Sequence, residues 1–217
     1  MSHPIAIFHH CRLSAGDPPI DFDWACGILE EQMKALAHAG LLEAASEFYA
    51  GVNGGEGDVV AASCILPAKA KLLAHPATAR GELPTLHYLQ NWLPGHEDWY
   101  VLYFHLKGAI HKNELAYVAW RHRMQHVVIS NWKQCVLDMD QGIESVGAHW
   151  LTPKQYPALV SSPFWGGNFW WAKASFLKTL PPMPETATTR GEFYLAESWI
   201  GRGPRPPVVK DYNPGWP

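Results

Sequence analysis

The run Trp99-Tyr100-Val101-Leu102-Tyr103-Phe104-His105-Leu106-Lys107-Gly108 constrains this chain more than any other stretch. It is almost continuously apolar and stops on a base and a glycine. Such a run of β-branched and aromatic residues predicts a buried strand. A strand covered on both faces belongs to a largely parallel sheet flanked by helices. In open α/β sheets, ligands sit beyond the carboxyl ends of the strands. His105 and Lys107 stand there two residues apart, so they point to one side. The alternative at this point is a lysine that simply stays in water at a strand end.

The remaining composition narrows the class. With 217 residues, one α/β domain with a sizeable core fits better than two. The formal charge of −3 gives no global basic footprint for nucleic acid. The four cysteines Cys11, Cys26, Cys64 and Cys135 form no CxxC pair, which speaks against a zinc ribbon or redox motif. The N-terminus is too short and polar for a signal peptide, and no stretch approaches the length of a transmembrane helix. A cytoplasmic location with free thiols is the expectation. Nine of the eleven tryptophans fall between Trp92 and Trp199. Tryptophan serves cores and sugar-stacking surfaces alike, and this content leaves self-association into a homo-oligomer open.

In chain order, Ile5 to His9 predicts a first strand, followed by the loop Gly16-Asp17-Pro18-Pro19. Asp21 or Asp23 can cap a helix carrying Ala25, Leu29, Met33 and Leu36 at helical spacing, with Gly40 ending it. A second strand is expected over about Ala45 to Val52 and a third near Asp58 to Ala62. The segment Gly81-Glu82-Leu83-Pro84-Thr85-Leu86 opens a helix, with Pro84 in its first turn, that runs to about Trp92. After the central strand, a long helix over about Glu114 to Val136 buries Tyr117, Trp120, Met124, Val127, Val128, Trp132 and Cys135. Glu144 to His149 predicts another strand. The block from Phe164 to Ala172 predicts a strand where two glycines admit a close approach, with a helix behind it to about Leu180. The body is assigned to residues 1–200. Residues 201–217, with five prolines and three glycines, are expected to form an irregular tail.

Several motifs compete for the chemistry. His9, His10 and Cys11 are adjacent and cannot all face one metal from a strand. His122 and His126 have the i, i+4 spacing of helical zinc sites, but HExxH is not present. Asp138-Met139-Asp140 has a DxD spacing, read either as a cation site or as a polar helix end. There is no GxGxxG, Walker A or GxSxG pattern. The set that remains is distributed: Lys107; Gly167, Asn168, Trp170 and Trp171; Arg190 and Glu197. A cation, an aromatic platform, an amide and a carboxylate suit an anionic carbohydrate derivative, with the carboxylate as general base.

Taken in order, Gly81 to Leu86, Tyr103-Phe104-His105-Leu106-Lys107-Gly108, Trp120-Arg121, Gly147 to Trp150, Gly167-Asn168-Phe169-Trp170-Trp171-Ala172, Arg190 and Ala196-Glu197-Ser198-Trp199-Ile200 form a pattern. It resembles small GT-A-type glycosyltransferases of bacteria and large algal viruses, which build surface polysaccharides and glycans from nucleotide sugars. The resemblance covers about Ile5 to Gly201. It implies a GT-A-like α/β fold, a Rossmann-like α/β/α sandwich with a mixed, mostly parallel sheet.

The resemblance also implies roles. His105 and Lys107 occupy the place of the Asp-x-Asp motif that holds a divalent cation against the donor diphosphate. Lysine can neutralise phosphate directly, so transfer without a required metal is expected. His105 is the alternative ligand should manganese or magnesium bind. Phe8, His9, His10, Glu82, Thr85, His105, Lys107 and Gly108 are assigned to the nucleotide and donor. Gly167, Asn168, Trp170, Arg190, Trp120 and Arg121 are assigned to the sugar and acceptor, with His111 and Lys112 also candidates to receive the acceptor. Glu197 is the expected base of an inverting displacement and Lys107 the stabiliser of the leaving group. The implied partners are a nucleotide-sugar donor, with UDP as the nucleotide, and a glycan acceptor, lipid-linked at a membrane face in one variant. The rivals are a non-catalytic nucleotide- or sugar-binding module of the same fold and a metal-dependent hydrolase built on Asp138, Asp140 and nearby histidines.

Overall fold

The structure, a computed structural model, describes residues 3–14, 19–78, 81–155, 162–184 and 195–214. Within them, seven strands form one mixed sheet in the order β3-β2-β1-β4-β8-β5-β9. The strands are β1 (Ile5–Arg12), β2 (Glu47–Asn53), β3 (Ala70–His75), β4 (Tyr100–His105), β5 (Ser145–Gly147), β8 (Trp170–Lys173) and β9 (Val209–Asp211). β6 (Trp150–Leu151) and β7 (Phe164–Trp165) pair as a separate antiparallel ribbon. In the large sheet β8 runs against both neighbours, while the other strands share one direction. The central run is β4, flanked by β1 and β8, and Tyr100 to Phe104 are all buried.

Period-2 alternation sorts each strand's side chains into two cores. Ile7, Leu102 and Phe104 face α1 (Phe22–His38) and the helices α5 (Leu115–Gln125) and α6 (Trp132–Asp140). Ala6, Phe8, Val101 and Tyr103 face α4 (Leu83–Trp92) and α7 (Ala174–Leu177). The result is three layers, helix on sheet on helix. The buried Trp165, Trp170, Trp171 and Trp199 each place the indole N–H on an oxygen within the protein, at 2.7–2.9 Å. Truncating any of them to alanine costs about 3–5 kcal/mol.

Local signals explain several element boundaries. Asp21 caps α1 by accepting the Trp24 N–H at 2.9 Å. Gly40 takes the left-handed turn at φ +68 just past the end of α1, where glycine carries no Cβ penalty. Pro84 sits in the first turn of α4.

Three expectations are corrected. Asp58 to Ala62 is helical, part of α3 (Glu56–Ile65), because Asp58 accepts the Gly55 N–H at 2.9 Å and starts a helix. The third strand lies later, at Ala70–His75, on the sheet edge. The long helix is broken by a π-helical turn at His126–Ser130. Finally, residues 201–217 are not wholly irregular: β9 pairs in parallel with β5, and the Asp211 carboxylate accepts the His149 and Trp150 N–H groups. The loop residues Gly16, Asp17 and Pro18 lie outside the described residues.

Candidate functional site

The strand order runs outward from β1 to β2 and β3, then returns to the other side of β1 with β4. The crevice at the carboxyl ends of β1 and β4 is therefore the topological switch point, where α/β sheets bind ligands. A cleft opens there. Its lining includes His10 and Arg12 of β1, Glu82 before α4, His105 at the end of β4, Lys107 just after it, and Glu197 of α8 (Leu195–Ser198).

The turn carrying Lys107 is held by its own backbone oxygens. The His105 carbonyl accepts from Gln32 Nε2 at 2.9 Å, the Lys107 carbonyl from Arg121 Nη1 at 3.1 Å, and the Gly108 carbonyl from Trp24 Nε1 at 3.1 Å. Gly108 has φ +86, and a Cβ there would lie 3.1 Å from Arg121 Nη1. The glycine thus serves both the turn and the close approach of the guanidinium. Lys107 Nζ stands 3.9 Å from the centre of the Trp120 ring, a cation–π contact. Burial lowers the Lys107 ammonium's pKa, while Glu197 and Glu82 act against that shift.

Glu82 is the most enclosed acid of the cleft. Its Oε2 accepts from Tyr103 Oη at 2.8 Å and from Asn168 Nδ2 at 2.7 Å. Burial raises its pKa to about 7, against the lowering effect of those bonds and of Lys107. Its Oε1 lies 3.7 Å from His105 Nδ1. The opposite ring nitrogen, His105 Nε2, is 2.9 Å from the Gly167 carbonyl. That carbonyl only accepts, so Nε2 carries the proton and Nδ1 presents a lone pair to Glu82. Burial lowers the His105 pKa to about 4, which keeps the imidazole neutral. Glu197 is half-buried; burial raises its pKa, Lys107 opposes the rise and Glu82 adds to it.

The remaining residues singled out in the sequence are placed as follows. Asn168, at φ +54, is fully buried. Its Oδ1 accepts from Trp170 Nε1 at 2.7 Å, and its amide bridges Glu82 and the Ala196 carbonyl, so it ties the β7–β8 turn to the cleft's acid. Gly167 lends its carbonyl to His105, and a Cβ there would meet Met124 Sδ at 2.6 Å. Trp170 is buried and stacked on Tyr103, and Phe8 is buried and stacked on Tyr49. His9 faces α1, bonds Gln32 Oε1 at 2.8 Å and stacks on Phe104; burial holds its pKa at about 3. Thr85 is buried beside His10, with their hydrogen bond at 2.8 Å.

Arg121 is 2% exposed, and its Nε and Nη2 donate to Glu31 at 3.0 and 2.9 Å. It stands behind Lys107 rather than at the surface. His111 lines the cleft and pairs with Glu114, and Lys112 pairs with Asp21. Arg190 lies outside the described residues. Arg12 was not singled out in the sequence. The alternation that puts His10 in the cleft also puts Arg12 there, two residues on.

Both aspartates of the Asp138-Met139-Asp140 motif are hydrogen-bonded within the fold. Asp138 accepts from Tyr212 Oη at 2.5 Å, and Asp140 from Tyr100 Oη at 2.6 Å. Tyr100 opens β4, so this pair is at the opposite end of the sheet. Among the described residues, no three His, Cys, Asp or Glu side chains are placed to share one ion. Lys107 lines the same cleft as Glu82 and Glu197.

An α/β protein with a cleft carrying charged side chains at the switch point of a mostly parallel sheet is the class that fold and site define. The chain belongs to the DUF8361 family, a domain of unknown function, whose profile matches residues 20–202. No curated protein matches the chain.

Proposed function

We propose that this chain is a glycosyltransferase of GT-A type. It transfers a sugar from a nucleotide sugar, with UDP as the nucleotide, to the hydroxyl of a glycan acceptor, with inversion. The observation that carries this reading is the convergence of Lys107, Arg12, Glu82 and Glu197 on one cleft at the β1–β4 switch point. The sequence resemblance supplies the reaction class.

In this reading the donor diphosphate lies against Lys107, with Arg12 lining the same cleft. Glu197 accepts the proton of the acceptor hydroxyl as its oxygen bonds to the anomeric carbon. The bond from that carbon to the phosphate oxygen breaks, and its electron pair leaves with UDP, where Lys107 stabilises the charge. A half-buried carboxylate with a raised pKa suits a general base working near neutrality. Because a lysine provides the charge, the reaction runs without a required metal. Among the described residues no helix is long and apolar enough to cross a membrane. A cytoplasmic enzyme meeting a lipid-linked glycan by peripheral contact belongs to the same proposal.

The test is a thermal-shift panel of nucleoside diphosphates and nucleotide sugars, with and without manganese, followed by a donor-turnover assay. Stabilisation by UDP and release of UDP from a UDP-sugar are expected. Stabilisation without turnover on any donor and acceptor pair would make the chain a binding module. No stabilisation by any nucleotide would remove the reading.

A further inference from the structure

At the β1 wall of the cleft, His10 is 3% exposed and its Nε2 has no hydrogen-bond partner among the described residues. Its Nδ1 is 2.8 Å from Thr85 Oγ1, and the same oxygen is 3.3 Å from Nε2 of His75 on β3. The chain of contacts crosses β2 at Gly51. A Cβ on Gly51 would lie 1.9 Å from Thr85 Oγ1 and 2.8 Å from His75 Nε2. Glycine inside a strand costs about 0.5–1 kcal/mol relative to alanine, and here its absent side chain is the space the contact occupies. A buried polar atom with no partner is costly unless something else meets it.

Thr85 has one proton to give. If it donates to His75 Nε2, His10 Nδ1–H donates to Oγ1, and His10 Nε2 carries a lone pair. If it donates to His10 Nδ1, His75 Nε2–H donates to Oγ1, and His10 Nε2 carries the proton. With the Thr85 proton on one of these two lines, the state of His10 Nε2 copies that of His75 Nε2. Burial, with His105, His75, His9 and Arg12 nearby, holds His10 well below the usual histidine range, so the neutral ring makes this choice.

We propose that His10 Nε2 is a ligand contact for a hydroxyl group in the cleft, with Thr85 and His75 as positioning residues that set its donor or acceptor sense across Gly51. A hydroxyl both gives and accepts, so it can meet either setting. The inference rests on the nucleotide-sugar reading, in which the hydroxyl belongs either to the ribose or to the transferred sugar.

The experiment is long-range proton–nitrogen NMR of protein with 15N-labelled histidines, with His10 assigned through His10→Gln, alongside calorimetry. Saturation with UDP-glucose is expected to shift the His10 Nε2 signal. Thr85→Val is expected to change both His10 nitrogen shifts in the free protein and to weaken binding by up to about tenfold, the scale of one neutral hydrogen bond. Thr85→Ser restores both. His75→Phe, at a half-exposed position on the edge strand, gives the same change with the buried layer intact. A response to UDP that vanishes with 2′,3′-dideoxy-UDP assigns the hydroxyl to the ribose; a response that needs the glucose assigns it to the transferred sugar. If UDP-glucose binds and His10 is silent, or if Thr85→Val and His75→Phe leave the His10 shifts unchanged, the proposal is overturned and the nucleotide-sugar reading stands. If no nucleotide binds, that reading falls; free monosaccharides then probe His10, and silence there overturns the contact as well.

Discussion

Arg121 holds Lys107 by its backbone: Nη1 donates to the Lys107 carbonyl while Nε and Nη2 of the same guanidinium grip Glu31. The charge of the cleft is thereby anchored by an ion pair on the far side of its own turn. Glu31 is about one-third exposed, whereas Arg121 is almost fully enclosed.

Removing the guanidinium leaves a carboxylate without its main partner and frees the Lys107 turn. Arg121→Met is expected to lower unfolding stability by about 2–3 kcal/mol, below the range for fully buried pairs because Glu31 is partly in water. Arg121→Lys will not rescue it, since an ammonium cannot supply the same planar set of donors. Urea denaturation measures both. The pH dependence has a definite sign. Burial alone would raise the Glu31 pKa, but hydrogen bonds from Arg121, Gln125 and His122 outweigh it and bring it to about 2. The contribution is therefore present above the ordinary carboxylate range and lost as pH falls toward 2. A wild-type advantage over Arg121→Met that persists unchanged at pH 2 contradicts this account.

In the proposed reading, Lys107 meets phosphate rather than base or ribose. Lys107→Ala is expected to weaken UDP at least tenfold while changing uridine affinity less than twofold, measured by calorimetry; tenfold corresponds to about 1.4 kcal/mol. Equal losses for both ligands would move Lys107 away from the diphosphate. In a transfer assay a chelator is expected to leave the rate at its original value, because the lysine supplies the neutralising charge.

Much of this site was legible from the central run alone. The switch-point position of His105 and Lys107 follows from a buried strand ending in polar residues, and the order of motifs pointed to Glu82 and Glu197. What failed was facing. Phe8, His9, Trp170 and Arg121 are near the cleft in sequence, but each turns into a packed layer. Strand alternation predicts that His9 and His10 face opposite sides, yet it does not say which side holds the cleft. Arg12 was recoverable by that rule once His10 was placed. The helix at Asp58 was missed because Val59, Val60, Ala61 and Ala62 form a short apolar run, which periodicity cannot assign. β3 was missed because an edge strand with several exposed positions lacks a buried-strand pattern. The support from Trp24 and Gln32 is a long-range contact that no local signal carries.

Glu82 stores an electrostatic cost in the fold. Its folded pKa is about 7 against an ordinary 4.5. A carboxyl raised in the folded state favours folding at low pH, and that advantage is lost as pH rises from the unfolded value through 7. The penalty at pH 8 is roughly 3 kcal/mol. Glu82→Gln keeps an oxygen for Tyr103 and Asn168 and turns an amide toward His105 Nδ1. It is expected to raise the melting temperature by about 5–10 °C at pH 8, with little change at pH 4. An increase of the same size at both pH values would mean that the charge of Glu82 is not its cause.

Two carboxylates share the cleft, so the base needs an experiment that separates them. Glu82 already commits Oε2 to Tyr103 and Asn168 and faces His105 with Oε1, whereas Glu197 is half-buried at the cleft wall, where the Lys107 charge acts on it. Glu197→Gln is expected to cut kcat by about 10²–10⁴-fold. UDP affinity should be unchanged or tighter, since a negative charge beside the diphosphate is removed. The base acts when deprotonated, and its pKa is raised, so wild-type kcat/KM should climb with pH along a limb lying above the ordinary carboxylate range. Glu197→Gln should flatten that limb, while Glu82→Gln should leave its position nearly unchanged apart from the loss of one neighbouring charge, which shifts it slightly downward. If Glu197→Gln retains the limb and Glu82→Gln abolishes it, the base is Glu82 and Glu197 serves the ligand in another way.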